Sequence, residues 1–109
     1  MVRCLSVENA LREIEAIERL VSPYKYSAYE AARVLQILKD LKEALNKMDK
    51  EKIKQIMEDF SSLENAAASY RGYRFVEEAL QHAKKLHEEL NKIVSNWSFH
   101  FLTIIKPIN

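Results

Sequence analysis

In 109 residues the chain has one glycine, two prolines, one cysteine and one tryptophan. So little glycine and proline leaves almost no material for the tight turns on which an all-β fold depends. The single cysteine, Cys4, excludes an internal disulfide and a cysteine-rich zinc site, and reads as an intracellular thiol. Neither sign of charge is in excess. With 17 basic and 16 acidic residues the net charge is +1, which argues against the broad electrostatic footprint of a nucleic-acid binder and against disorder driven by charge. No stretch reaches the roughly 18 uninterrupted apolar residues of a membrane span. Charges also run through the first fifteen or so residues, where a secretory signal would need an apolar core. No glycine-rich loop offers itself to a phosphate. Together these absences lead to the expectation of a cytoplasmic protein with no membrane contact. Scarce glycine and cysteine beside plentiful Lys and Glu lean toward a heat-adapted source.

What is present is helical periodicity. Apolar residues make up 48% of the chain and charged residues 30%, enough for one hydrophobic core in one domain. The strongest segment follows Arg74: Phe75, Val76, Ala79, Leu80, Ala83, Leu86, Leu90, Ile93, Val94 and Trp97 recur at three-and-four spacing, the period of one helix face. Glu77, Glu78, Lys84, Lys85, Glu88, Glu89 and Lys92 form the solvated face, where Glu88 and Lys92 have the spacing of a helical ion pair. Earlier in the chain, Ser6 offers an N-cap to a helix with a stripe of Val7, Ala10, Leu11, Ile14, Ile17, Leu20 and Val21, stopped by Ser22 and Pro23. A second helix is expected from Ala28, with Ser27 and Glu30 at capping-box spacing and Ala31, Val34, Leu35, Leu38, Leu41, Leu45 and Met48 on one face. Asp49 can cap a third helix with Ile53, Ile56, Met57, Phe60, Leu63, Ala67 and Tyr70. A restart at Ser61 is suggested by Glu64 three residues on. The only glycine, Gly72, is placed where a left-handed C-cap would separate helices three and four. A single helix running through Gly72 is the rival, since one glycine costs only about 1 kcal/mol in a helix interior.

Four amphipathic helices with short connections predict an all-α, four-helix up-down-up-down bundle over residues 1–109. After Trp97 the segment SFHFLTIIKPIN loses its polar face and becomes an apolar C-terminal extension. It either prolongs the last helix or crosses the bundle as a tail. Its aromatic and branched residues Trp97, Phe99, Phe101, Ile104 and Ile105 form a candidate protein interface, most simply with a second copy of the chain, making a homodimer.

The search for catalytic chemistry is negative. His82 and His87 are about 140° apart around a helix and do not converge on one metal. No set of acid, base and nucleophile assembles, so the expectation is a protein that is not an enzyme and uses no cofactor. All five tyrosines fall in two clusters, Tyr24, Tyr26 and Tyr29 near the first helix junction and Tyr70 and Tyr73 near the third. An up-down-up-down bundle brings those junctions to one end, together with Lys25, Arg33, Arg71 and Arg74. Aromatic faces interleaved with guanidinium groups suit stacked bases or an anion. Tyrosines that simply plug the end of the bundle are the plainer explanation. The sequence therefore predicts a non-enzymatic interaction or scaffold subunit that self-associates through its C-terminal segment. The alternative is a nucleic-acid or anion-binding module that uses Lys25, Arg33, Tyr70, Arg71, Tyr73 and Arg74.

Overall fold

The stripe of each amphipathic segment meets the others in one core. In the computed structural model, which describes residues 5–70 and 72–105 with side chains as far as 95, four helices form an all-α bundle. They are α1 (Leu5–Val21), α2 (Tyr29–Lys47), α3 (Lys50–Ala67) and α4 (Arg74–Ile105). No strand occurs among the described residues.

The buried residues of α1 are Val7, Ala10, Ile14, Ile17 and Val21, and the other two members of its expected stripe, Leu11 and Leu20, pack against them half-buried. They pack with Leu38, Leu41 and Leu45 of α2, Ile53, Ile56, Phe60 and Leu63 of α3, and Ala83, Leu86, Leu90 and Ile93 of α4 in a single cluster. No buried polar or charged residue interrupts it among the described residues. Burying a large aliphatic side chain contributes roughly 1.5–3 kcal/mol, so this cluster is the main source of stability. The most extensive helix pair is α1 with α4. Tyr24 meets Phe75 and Glu13 meets His82, so stepping back along α1 moves forward along α4 and the two run antiparallel. A second tie joins Lys42 Nζ of α2 to Glu18 Oε2 of α1 at 2.9 Å.

The helix boundaries have local causes. Val21 ends α1, and Ser22–Tyr24 follows as a 3-10 turn with Pro23 in its first positions, where the missing N–H costs nothing. Between α2 and α3 the chain reverses over Met48 and Asp49. Met48 adopts a left-handed backbone at φ 55°, its N–H bonds to Leu45 O, and the Asp49 N–H reaches Ala44 O at 3.0 Å. That bond pattern is a Schellman C-cap. Asp49 then accepts a hydrogen bond from the Lys52 N–H at 3.2 Å and caps α3.

Several expectations are corrected here. Ser6 lies within α1 rather than ahead of it. The capping box at Ser27 does not form: Ser27 Oγ donates to Tyr24 O at 3.3 Å, and α2 begins at Tyr29 after an extended Ala28 that lacks a side-chain cap. The turn claims the hydroxyl first, because Ser27 is the third residue beyond Tyr24 and closes onto its carbonyl. Nor does α3 restart at Ser61; the helix is continuous to Ala67 and passes into a 3-10 turn, Ala68–Tyr70. Helices three and four are separate, but Gly72 is not the left-handed cap expected of it: no glycine has a positive φ among the described residues, and α3 has already passed into its 3-10 turn at Ala68. Met48, expected on the core face of α2, is 48% exposed because it sits past the helix end. Ile37 and Ala44 of α2 are buried instead. They flank the expected stripe, which widens because α2 packs on both α1 and α3. After Trp97 the chain continues as helix, and α4 reaches Ile105.

Candidate functional site

The first quarter of α4 does not bury its stripe. Phe75, Val76, Ala79 and Leu80 carry the same spacing as Ala83, Leu86 and Leu90, yet they are only half-buried while the latter are closed off from solvent. The reason is a cavity of about 930 Å³ at this end of the bundle. Ile17 and Val21 of α1, Ala28, Ala31 and Val34 of α2, Phe60, Leu63 and Ala67 of α3, and Phe75, Val76, Ala79, Leu80 and Ala83 of α4 form its apolar wall. Four helices approach one another here without closing, because α2 and α4 bring alanines where their later turns bring leucines.

The mouth of the cavity is aromatic. Tyr24 stacks on Phe75 with ring centres 3.9 Å apart and planes 11° from parallel. Tyr73 is tilted against Phe75 at 6.3 Å and against Tyr70 at 6.5 Å, so the four rings make a continuous run, Tyr24, Phe75, Tyr73, Tyr70. Their arrangement mixes the stacked and tilted geometries that ring quadrupoles favour. Tyr29 also lines the cavity and is 73% exposed. Of the large apolar or aromatic side chains exposed among the described residues, all but Leu5 and Met48 are tyrosines of this end. The junctions read as adjacent in the sequence are thus adjacent in space.

The cations predicted to join the tyrosines are arranged differently. Lys25 Nζ lies 5.0 Å from the ring centre of Tyr26, which projects into solvent away from the cavity wall. Arg33 is exposed and does not line the cavity. Arg74 does line it, with its Nε 3.8 Å from Glu78 Oε2. Arg71 falls outside the described residues, as does Cys4. Against the one lining guanidinium among the described residues stand the carboxylates of Glu30, Glu64 and Glu78. Among the described residues the site is more acidic than basic. The side chains of Trp97, Phe99, Phe101, Ile104 and Ile105 also lie outside the described residues; these positions belong to the last turns of α4.

Two interhelical contacts, one of them made by the cavity-lining Glu64, escaped the sequence. The His82 ring meets Glu13 of α1 through Nδ1 at 2.6 Å, and the His87 ring meets Glu64 of α3 through Nε2 at 2.8 Å. Each histidine ties α4 to a different neighbour. The hydrogen bond to Glu64 raises the His87 pKa above its ordinary 6.5, burial opposes it, and the Glu64 charge reinforces the rise. The ring also stacks toward Phe60, centre to centre at 5.8 Å. On the next turn the ion pair expected from Glu88 is made by Glu89, whose Oε2 lies 3.3 Å from Lys92 Nζ. No group of three metal-ligating side chains comes together among the described residues, and no described helix is long and apolar enough to cross a membrane.

The arrangement can hold an apolar molecule behind an aromatic rim and orient it by charge. Set against family models, curated proteins and solved structures, the chain matches none of them.

Proposed function

We propose that this protein is a non-enzymatic binding module that takes up an apolar ligand at the tyrosine end of its bundle. The supporting observation is the cavity itself. Its 930 Å³ lies in the range of about 300–1,000 Å³ typical of small-molecule sites, and its wall is apolar with few polar groups. An apolar occupant gains both the burial of its own surface and that of the wall. The four ring residues at the mouth give it a rigid edge.

The test is a titration with N-phenyl-1-naphthylamine, a neutral probe whose fluorescence rises on leaving water. Saturable binding of one probe per chain is expected, abolished by Ala79→Phe, which fills the cavity from the middle of its α4 wall. Probe fluorescence that never saturates, or that survives Ala79→Phe in a folded variant, removes the cavity as a binding site.

A second reading, self-association as a scaffold subunit, is favoured by the length of α4. At 32 residues against 17, 19 and 18 for α1, α2 and α3, it carries Trp97, Phe101 and Ile104 in the helical register of Leu90 and Ile93. Sedimentation of Trp97→Ala with Phe101→Ala tests this reading: a dimer that becomes a monomer supports it, and an unchanged mass refutes it. The anion-binding alternative draws less support, because Arg33 stands off the cavity and Arg74 faces a carboxylate.

A further inference from the structure

We infer that the ligand of the tyrosine-end cavity is an organic ammonium ion: a positively charged nitrogen on an apolar body. The inference rests on the cavity being a ligand site and adds the chemistry of its occupant.

Two independent features converge on a cation. The first is charge. Among the described lining residues Glu30, Glu64 and Glu78 outnumber Arg74. Glu64 is engaged by His87 and Glu78 is approached by Arg74, while Glu30 has no ion-pair or hydrogen-bond partner among the described residues. An anion entering here meets an excess of like charge, and a cation finds an unused carboxylate. The second is the rim. The faces of aromatic rings carry negative potential, and ammonium ions with apolar substituents, which are weakly hydrated, bind to them readily. Tyr24, Tyr70 and Tyr73 stand at the mouth beside the carboxylates. The wall behind them is apolar, so the body of the ligand is a hydrocarbon chain or ring rather than a sugar or a nucleotide.

The experiment is competition against bound N-phenyl-1-naphthylamine by three probes of equal chain length below their micelle-forming concentrations: decyltrimethylammonium, decanol and decyl sulfate. Decyltrimethylammonium is expected to displace the dye at roughly tenfold lower concentration than decanol, the scale of one favourable cation contact, and decyl sulfate to be the weakest. Glu30→Gln, an exposed position whose change leaves the core intact, should remove most of the advantage of the cation. Arg74→Gln should increase it. Equal displacement by cation and alcohol overturns the inference while leaving an apolar site in place. Preference for decyl sulfate overturns it in favour of an anion. Absence of dye binding in the first instance removes the cavity reading itself, and this inference with it.

Discussion

The ring of Tyr24 lies flat on that of Phe75, centres 3.9 Å apart, and this one contact fastens the first interhelical turn to the opening turn of α4. Residues 51 positions apart in sequence are thereby held at the edge of the cavity. Stacked aromatic pairs contribute about 0.5–1.5 kcal/mol beyond the area they bury. Replacing Tyr24 by Ala is expected to lower stability by about 1–3 kcal/mol in urea unfolding. Tyr24→Phe should be close to neutral, since it keeps the stack. A destabilised Phe variant would show that the hydroxyl, and not the ring, matters.

Stability should depend on pH through His87. Its folded pKa is raised by the bond to Glu64, so the protonated ring is favoured in the native state. The contribution is therefore fully present below the unfolded value of about 6.5 and disappears as pH climbs through the higher folded value. Melting temperature should fall across that window as the solution is made alkaline. In His87→Gln the slope should flatten, and a slope unchanged in that variant would assign the dependence to another group.

Met48 is held at φ 55° and ψ 42°, a region that suits glycine better than any side chain with a Cβ. Met48→Gly is expected to raise stability by about 0.5–1 kcal/mol, the relief of the left-handed strain exceeding the added freedom of the unfolded chain. The adjoining Asp49→Ala should lower it by about 0.5–2 kcal/mol through loss of the α3 cap. Thermal unfolding of the two variants, one shifted up and the other down, checks both.

Leu90 is completely buried where α4 crosses the core. Leu90→Ala should cost about 2–5 kcal/mol, a large share of the roughly 5–15 kcal/mol that a domain of this size possesses. Ala79→Phe, at the cavity wall, should by contrast hold or raise the melting temperature. If filling that wall is as damaging as emptying the core, the space at the tyrosine end is not open in solution.

The helices were legible because their signals are local. Of the stripe from Val7 to Val21, all but Leu11 and Leu20 are buried and those two pack against the core half-exposed, and Asp49 caps α3 as its position before Lys50 suggested. The meeting of the tyrosine clusters followed from counting junctions, whereas the break between α3 and α4 starts at Ala68 without a left-handed glycine. What escaped depends on partners remote in sequence. Nothing around Glu13 or Glu64 announces His82 or His87, because each pair joins two helices whose relative rotation is set by packing. The Schellman turn at Met48 lacks the glycine by which such turns are recognised. The cavity was hidden for a related reason: Phe75, Val76, Ala79 and Leu80 read as core, and only the arrangement of four helices shows that their stripe faces an unfilled space. The places of Lys25 and Arg33 were not legible either: they sit near the tyrosines in sequence but off the cavity wall in space.

The dominance of the α1 and α4 pair also shapes how the chain acquires its structure. α1 finds its most extensive partner in a helix made after both α2 and α3, beyond an intervening stretch of roughly fifty residues whose closure costs on the order of 3–4 kcal/mol in chain entropy. The α2–α3 hairpin, closed by a two-residue turn, can form early and alone. The first helix must wait with Val7, Ile14 and Ile17 uncovered until α4 arrives, so the bundle completes in one late, long-range step rather than growing helix by helix.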